Sequence, residues 1–374
     1  MNEKIKAIVI TEDHYNALGV LRSLGEKGVQ IHLLLFSEGD TFVDSCRYVY
    51  ETHKIKRTES AIIQSVSQII SSGERFFVFP LSDFSANILD KNYVQLGEKC
   101  IIPNMRGKMN FYLYKHNTKE KAQEYGLLVP KGCILSKDEE NADWDVFPAI
   151  VKPLISIEGK KSDIITVANR TELNESIKSF REKGYSNFLL EQFIEGDDEY
   201  MIEVMGYRGK GTTEVCGIIK KIREYPIQNG STSYAEVVEE HEAISCESVK
   251  RFVDELDFFG LFDMEFKYAD GKAYFIECNF RNGAPGYALT KRGRNIPFEW
   301  ILDVLEEKSI SSRSSRKKCF MCEQIDIINM LKGTPGVFTW CKQFFCADKI
   351  FFSWKDLKPV ITYYVIFIKK FLRK

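Results

Sequence analysis

The sequence lacks several features that would assign it to a broad class of proteins. None of its 374 residues lie in an apolar stretch that reaches the roughly 18 residues of a membrane-spanning helix. The opening segment, MNEKIKAIVITED, mixes charged residues with a short strand-like run, so we expect no secretory signal. The formal net charge is only −1, which indicates no general polyanion partner and no nucleic acid.

Disulfide spacing is also missing. The 10 cysteines are scattered irregularly, which is typical of a reducing compartment, and we expect a cytoplasmic location. Four of them can be interpreted as zinc ligands: Cys319, Cys322, Cys341 and Cys346. The Phe and Met between the first two favour a strand instead.

The N-terminal hundred residues alternate between strand-like and helix-like patterns. Residues 5–10, 30–36 and 76–80 predict strands, and Leu18, Leu21 and Leu24 recur at helical spacing between the first two. This alternation predicts a small parallel sheet covered by helices, hence an α/β N-terminal domain. No GxGxxG fingerprint is present, so we expect the strand ends to hold part of a substrate rather than a dinucleotide. One such end is the corner at residues 81–83, which predicts a helix cap.

Residues 261–286, LFDMEFKYADGKAYFIECNFRNGAPG, predict a β-hairpin around the turn Asp270-Gly271. Glu265 and Glu277 lie on opposite strands and share a face if an odd number of residues separates the strands. Opposed Cβ atoms are then about 5 Å apart, and two such carboxylates repel each other. Mg²⁺, which prefers oxygen ligands, is the obvious compensation.

Strand alternation places Asn279 and Arg281 on the same face as Glu277. Two carboxylates, an amide and a guanidinium predict a site for a metal and an anion, because Arg binds phosphate or carboxylate through two parallel hydrogen bonds. An edge hairpin with a solvated polar face remains the alternative.

Two lysines occupy positions suited to phosphate. Lys115 lies within a helix predicted over residues 110–125, and Lys152 ends a strand predicted over 147–153. The polar turn 156–161 follows Lys152, and a lysine beside such a loop is typical of a phosphate cradle. A solvated lysine is the alternative for Lys115.

Strands predicted over 187–194, 200–206 and 217–225 precede a helix over 242–256 and then the hairpin, an order that indicates an α+β domain. These motifs, taken together, resemble the ATP-grasp superfamily, and in particular its carbamoyl-phosphate-synthase-like carboxylate–amine ligases. The resemblance covers roughly residues 5–305. It is carried by Lys115, by Lys152 with the following glycine loop, by the segment EQFIEG at 191–196, and by Glu265 with ECNFR at 277–281.

The resemblance implies a set of site roles. ATP phosphates would bind Lys115, Lys152, Ser156 and Gly159; the adenine would bind Glu191 and the backbone of Phe193 and Ile194; the ribose would bind Glu199. Mg²⁺, or Mn²⁺ in its place, would bind Glu265, Glu277 and Asn279. Arg281 would be the catalytic residue that stabilises the transferred phosphoryl group. The loop has one glycine where many members have several, and a tyrosine precedes Lys115 in place of the common aspartate.

The implied architecture is an N-terminal α/β domain over residues 1–103, an ATP-grasp domain over 104–310 with a lid near 128–190, and a C-terminal extension over 311–374. The implied reaction joins a small-molecule carboxylate to an amine through an acyl-phosphate. Arg223, Ser233, Asn282 and Gly283 are the candidate substrate residues. Another ATP-grasp reaction, namely carboxylation or carboxylate–thiol ligation, and a non-catalytic nucleotide-binding module are the alternatives. Such ligases are often homodimers.

The C-terminal segment 360–374, VITYYVIFIKKFLRK, is apolar and then basic. Two interpretations remain open: a helix or strand packed on the core, and a peripheral membrane contact.

Overall fold

The N-terminal residues form the parallel sheet that the sequence predicts. The structure, a computed structural model, describes residues 4–71, 73–136, 143–155, 163–211, 213–227, 230–307 and 315–372. The strands of this sheet are β1 (Lys6–Thr11), β2 (Gln30–Phe36), β3 (Val49–Ile55), β4 (Phe76–Pro80) and β5 (Cys100–Ile101). Their spatial order is β3-β2-β1-β4-β5, and every neighbouring pair is parallel.

Helices pack on this sheet, and their ends follow capping chemistry. They are α1 (Tyr15–Gly25), α2 (Glu59–Ile70), α3 (Asp83–Lys91) and α4 (Tyr93–Gly97). The predicted cap at the residue 81–83 corner is confirmed, because Ser82 precedes α3 and its hydroxyl accepts a hydrogen bond from the Ser85 amide.

The helix predicted over residues 110–125 is wrong in one respect. The chain forms two helices, α5 (Met109–Tyr112) and α6 (Lys115–Glu124), with Tyr114 extended between them. The Lys115 amide donates to the Leu154 carbonyl at 3.0 Å, so tertiary pairing interrupts the helix. Lys115 is therefore the first residue of α6 rather than an interior one.

A separate antiparallel sheet lies within the predicted lid. Its strands are β6 (Gly132–Ser136), β7 (Ala149–Pro153), β8 (Ile165–Val167) and β9 (Asn187–Gln192), in the order β6-β9-β7-β8. Helix α7 (Arg170–Glu182) packs against it through a core that includes Phe180 and Phe188. The predicted phosphate residues Ser156 and Gly159 lie outside the described residues.

The largest sheet is mixed and has seven strands. They are β10 (Met201–Arg208), β11 (Thr213–Tyr225), β12 (Ser231–Val238), β13 (Gly260–Ala269), β14 (Lys272–Asn279), β15 (Cys319–Met321) and β16 (Asp348–Lys349). The order is β14-β13-β10-β11-β12-β15-β16, so the predicted hairpin forms one edge and C-terminal residues form the other.

The remaining helices surround this sheet. They are α8 (Cys246–Glu255), α9 (Gly286–Lys291), α10 (Ile296–Leu305), α11 (Glu323–Leu331), α12 (Val337–Cys346) and α13 (Lys358–Leu372). In the described ranges, none of the helices combines the length and the apolar character that crossing a membrane requires.

One apolar core joins the N-terminal sheet to the large sheet. Trp300 of α10 is completely buried, and its ring lies 5.8 Å from Phe77, 5.4 Å from Phe79 and 5.4 Å from Phe259. This packing brings the carboxyl ends of β1 and β4 to the polar face of the hairpin.

Candidate active site

The two acids of the hairpin meet because of a bulge. The turn Asp270-Gly271 has two residues, both with positive φ, and this even number alone would pair Glu265 with Ile276. The register shifts by one residue between Glu265 and Phe266, so that Glu265 lies directly opposite Glu277. The predicted shared face is confirmed, and the bulge supplies the odd residue that it requires.

A third acid on the neighbouring strand extends this pair into a row, the acid row of Glu203, Glu265 and Glu277. Glu203 of β10 lies directly opposite Glu265 on its other side. Lys221 of β11 is 97% buried and holds this group together, since its Nζ lies 3.0 Å from Glu203 Oε1, 3.2 Å from Glu265 Oε2 and 2.9 Å from Glu224 Oε1. Burial lowers the pKa of Lys221, but the surrounding carboxylates outweigh burial and raise it well above its usual value.

Arg281 joins the hairpin to the N-terminal sheet. Its Nη2 donates to Asn279 Oδ1 at 3.0 Å, and its Nε lies 3.2 Å from Asp83 Oδ1 at the start of α3. Burial raises the pKa of Asp83, and the Arg281 charge opposes that rise. The guanidinium is therefore fixed at the cleft wall by residues of both domains.

A cleft of about 440 Å³ lies between these elements. The carboxyl ends of β1 and β4 line one wall, through Thr11, Glu12 and residues 81–84. The other wall is lined by Glu203, Asp263, Glu265, Asn279 and Arg281. Two oxygens of its lining, Glu203 Oε2 and Asp263 Oδ1, are buried and find no hydrogen-bond partner within the described part of the chain. Burial, followed by the charges of Glu203 and Glu265, raises the pKa of Asp263 well above its usual value.

Three of the predicted nucleotide residues meet between the lid and α6. Lys152 Nζ lies 2.5 Å from Glu191 Oε2, and Lys119 of α6 forms an ion pair with the other oxygen of Glu191. Lys115 Nζ lies 3.5 Å from Glu277 Oε2, which connects this cluster to the hairpin. Positive charge thus lines the space between the lid and the acid row, as phosphate binding requires.

Lys119 was missed by the sequence interpretation. Burial and then the Lys152 charge lower the pKa of Lys119 to about 7. Burial raises the pKa of Glu191, but Lys152 and Lys119 outweigh it and bring that pKa to about 2. The single carboxylate of Glu191 balances the charge of only one of the two lysines, so the second lysine loses its proton more easily. The available signal was its position four residues after Lys115, on the same helical face.

Three side chains of the hairpin have the donor atoms that a hard cation prefers. Glu265, Glu277 and Asn279 offer two carboxylates and an amide oxygen, a donor set that matches Mg²⁺ and Mn²⁺. The Asn279 oxygen accepts one hydrogen bond from Arg281 and keeps its second lone pair. The donor chemistry therefore fits the predicted metal.

The comparison with protein families agrees with this geometry. Residues 120–290 match the family model of the ATP-grasp domain. This chain contains an ATP-grasp domain. The match spans the lid, the acid row and the hairpin, and the fold is that of an N-terminal α/β domain followed by a mixed α+β ATP-grasp domain.

One curated relative is the D-aspartate ligase of Enterococcus faecium (strain Aus0004). It is 23% identical over 249 residues, which are 60% of this chain and 57% of the relative. The chain therefore matches a little over half of that relative's length.

Solved ATP-grasp structures share the fold. The L-amino acid ligase from Bacillus licheniformis superposes with a TM-score of 0.62 at 18% identity, covering 83% of this chain and 76% of its own. The N5-carboxyaminoimidazole synthetase from Staphylococcus aureus, complexed with ADP, gives 0.65 at 18% identity, covering 83% and 80%.

The predicted adenine and ribose residues of the ATP-grasp domain stay predictions. Both carboxylate oxygens of Glu191 form ion pairs with lysines. The Phe193 amide donates to the Pro148 carbonyl at 3.0 Å. Ile194 is buried, and Glu199 is exposed in the short turn before β10.

The predicted substrate residues Arg223 and Ser233 lie together at Asp326 of α11. Arg223 makes two hydrogen bonds with that carboxylate, at 3.0 and 2.8 Å, and the Ser233 hydroxyl donates to it at 2.8 Å. Among the described residues, the lining of the cleft includes Ser231 and Thr232 but neither of these two. The sequence could not show this, because Asp326 is distant in the chain.

Asn282 and Gly283 join the ATP-grasp domain to α1. The Asn282 amide donates to Asn16 Oδ1 at 2.9 Å. A Cβ at Gly283 would lie 2.3 Å from Met205 Cε and 2.5 Å from Asp263 Oδ2, so only glycine allows this approach. Their role in substrate binding stays a prediction.

The four candidate zinc cysteines do not form a ligand group in the part of the chain that the structure covers. Cys322 is buried below β15, whereas Cys341 and Cys346 are exposed on α12, and all are free thiols. The strand predicted at residues 319–322 is confirmed as β15.

Proposed function

We propose that this chain is an ATP-dependent carboxylate–amine ligase that forms an amide bond and releases ADP and phosphate. The observation that carries the proposal is the direct pairing of Glu265 with Glu277, with Asn279 and Arg281 beside them, at a cleft that two lysines approach from α6 and the lid. Glu265, Glu277 and Asn279 would hold Mg²⁺, which neutralises charge on the transferring phosphoryl group when bound.

In the first step, a substrate carboxylate oxygen attacks the γ-phosphorus of ATP. The bond to the β,γ-bridging oxygen breaks, its electron pair leaves with ADP, and an acyl-phosphate forms. Lys115, Lys152 and Lys119 would hold the phosphates, and Arg281, fixed by Asp83, would stabilise charge on the equatorial oxygens. Closure of the lid sheet over the cleft would exclude water from the acyl-phosphate.

In the second step, a neutral amine attacks the acyl carbon, and the bond to phosphate breaks. The amine arrives as an ammonium, so the site has to take its proton. Glu203 and Asp263 each present a buried oxygen without a hydrogen-bond partner in the described structure, at the wall of the cleft. Their position favours an amine acceptor over bicarbonate or a thiol, because an ammonium brings three charged donors to these oxygens, whereas a thiol brings one weak donor and bicarbonate is itself an anion.

Amino acids are the substrate class that we favour. The curated relative is named for D-aspartate and one structural neighbour for L-amino acids. An amino acid brings a carboxylate for Arg281 and an ammonium for Glu203 and Asp263 within one molecule.

The first prediction concerns Glu277→Gln and Arg281→Ala. We expect each to lower turnover by about 10²-fold or more, since each removes charge that stabilises the transition state, and to leave the protein folded. The measurement is ADP release with Mg²⁺ and a panel of amino acids as acid and amine.

Glu98→Gln and Arg251→Ala are matched controls, because both side chains are exposed and lie outside the cleft lining. Full activity in Glu277→Gln and Arg281→Ala would overturn the site. ADP release with bicarbonate or thiols alone would favour the other ATP-grasp reactions, and nucleotide binding without ADP release across the panel would favour a non-catalytic module.

We further propose that the enzyme acts in the cytoplasm, at the surface of an anionic membrane. The 10 cysteines are free, as a reducing compartment keeps them. Helix α13 packs Val360 and Tyr363 on the core, yet its outer face is also apolar. The side chains of that face are 45% to 77% exposed: Ile361, Tyr364, Val365, Phe367, Ile368 and Leu372.

The charge of α13 indicates what binds its exposed apolar face. The helix carries three lysines and no acidic residue, and two of the lysines end it. An apolar face with a basic end suits the interface of an anionic bilayer. At 15 residues the helix lies along a surface and does not cross it.

The second prediction is that the protein sediments with phosphatidylglycerol vesicles and much less with phosphatidylcholine vesicles, and that salt weakens this binding. Phe367→Ser combined with Ile368→Ser should abolish it. Val94→Ser combined with Phe111→Ser, which removes exposed apolar groups elsewhere, should leave it intact. Binding that ignores lipid charge would contradict the proposal, and a homodimer that the α13 variant dissociates would identify a second copy of the chain as the occupant.

A further inference from the structure

Two histidines and a glutamate meet at the edge of the N-terminal sheet. His32 lies on β2, and Glu51 and His53 lie on the edge strand β3. His32 pairs directly with Glu51, and His53 is two residues further along β3, so all three side chains lie on one face of the sheet. The group is separate from the acid row of the large sheet.

The spacing of the three groups matches ligands around a single ion. Glu51 Oε2 lies 3.4 Å from His32 Nδ1 and 3.5 Å from His53 Nε2, and the three ligand atoms all lie within 4.8 Å of one another. A tetrahedral Zn²⁺ with ligands at about 2.0–2.1 Å separates them by about 3.3 Å.

Hydrogen bonding does not account for this arrangement. His32 Nδ1 and His53 Nε2 are both buried, and neither has a hydrogen-bond partner among the residues that the structure describes. Both nitrogens face Glu51 at ion-pair distance without the directionality of a hydrogen bond. A cation between the three groups would satisfy both nitrogens and the carboxylate together.

The charges around His32 permit a cation. Glu51 and Glu74 contribute negative charge near His32, and Lys6 contributes positive charge. Lys6 is itself paired with Glu74, so its charge is compensated locally.

We propose that His32, Glu51 and His53 bind one late first-row divalent cation of the Zn²⁺ class, with water completing the coordination. Imidazole ligands favour Zn²⁺, Ni²⁺, Co²⁺ or Cu²⁺ over Mg²⁺, so this ion is distinct from the metal of the active site. It fastens the edge strand β3 to β2. Arg57, which lines the cleft, follows shortly after β3, so the ion also fixes the start of that segment.

The test titrates the full-length, tag-free, metal-stripped protein with Co²⁺ and then with Zn²⁺, in a Cys341→Ser and Cys346→Ser background that removes the exposed thiols. We expect one ion per chain, a visible Co²⁺ spectrum without thiolate charge transfer, displacement by Zn²⁺ and none by excess Mg²⁺. His53→Ala and Glu51→Gln should each weaken Zn²⁺ binding at least about tenfold, or about 1.4 kcal/mol.

His241→Ala is the matched control, because His241 is another half-buried histidine, beside Tyr268. It should leave affinity unchanged. The side chains of His53 and Glu51 are 30% and 53% exposed, so both variants should fold, and circular dichroism checks this. Unchanged Zn²⁺ affinity in both variants, or a Co²⁺ spectrum dominated by thiolates, would overturn the proposal.

Discussion

At the scale of single residues, Lys119 is the most informative side chain in the candidate nucleotide-binding cluster of Lys115, Lys119, Lys152 and Glu191. It shares Glu191 with Lys152, and its pKa of about 7 means that its charge is half lost near neutral pH. Bound phosphates would restore that charge, so nucleotide binding should take up a proton. The affinity should therefore be highest below pH 7 and decline above it.

The third prediction follows from this linkage. Between about pH 6 and pH 8 the affinity for ADP should fall about tenfold, because one pH unit above the pKa leaves roughly a tenth of Lys119 protonated. Lys119→Arg should remove most of that dependence, since a guanidinium stays charged. Calorimetric titration of both proteins at the two pH values measures it. Identical pH profiles would show that Lys119 does not contact the phosphates.

At the scale of elements, the acid row depends on one lysine from the neighbouring strand. Lys221 is the cation that Glu203, Glu224 and Glu265 share. Removing one partner of a buried ion pair typically costs 3–5 kcal/mol. A carboxyl whose folded-state pKa is raised is penalised only while it is ionised, so that cost should shrink as the pH falls through the raised pKa.

The fourth prediction is that Lys221→Met lowers the free energy of unfolding by about 3 kcal/mol at neutral pH, and by less in mild acid. Urea unfolding at both pH values measures the change. The control is Lys220→Met, which alters the next residue of the same strand but an exposed side chain. Equal losses in the two variants would refute the role of Lys221.

The hairpin could be predicted from the sequence because its determinants are local. Asp270-Gly271 specifies the turn, and the aromatic residues on each side specify the strands. The bulge could not be predicted, since no residue type marks the register shift at Glu265. Strand β3 was missed for a related reason: Val49–Ile55 is an edge strand rich in charged and polar residues, and it lacks apolar alternation.

The candidate nucleotide site was predictable only in part. Lys115 and Lys152 lie beside recognisable motifs, and the structure pairs them with Glu277 and Glu191. Glu203 and Asp263 carry no local signal, because what distinguishes them is burial against distant strands, and Lys119 shows only its helical spacing from Lys115. The sequence shows no partner for Arg223, whereas in the structure Arg223 donates to Asp326 of α11.

At the scale of the whole molecule, the C-terminal residues pack on the N-terminal domain. Arg22 of α1 and Asp356 are both fully buried, with Nε 2.9 Å from Oδ2, and Arg22 Nη2 also donates to the Phe351 carbonyl. The Arg47 amide donates to the second Asp356 oxygen at 3.0 Å. The domain boundary at residue 310 stays a prediction, and the chain on either side of it contributes strands to one sheet.

The fifth prediction concerns this contact. Asp356→Asn should lower the free energy of unfolding by about 3–5 kcal/mol, because it leaves the Arg22 charge buried without a counter-ion. Asp40→Asn is the control, since that carboxylate is 70% exposed in its pair with Lys369. Chemical denaturation compares the two. A loss below about 1 kcal/mol for Asp356→Asn would show that the two regions are held by apolar packing alone.

Pairing between β12 and β15 has a consequence for synthesis on the ribosome. Strand β15 follows β12 only after the hairpin and the three helices α8, α9 and α10 have been translated. Until then the nascent polypeptide presents β12 as an open sheet edge, which can recruit another unfinished chain. Chaperone demand should therefore peak late in translation, when the hairpin at one edge of the large sheet is already folded but the opposite edge is not.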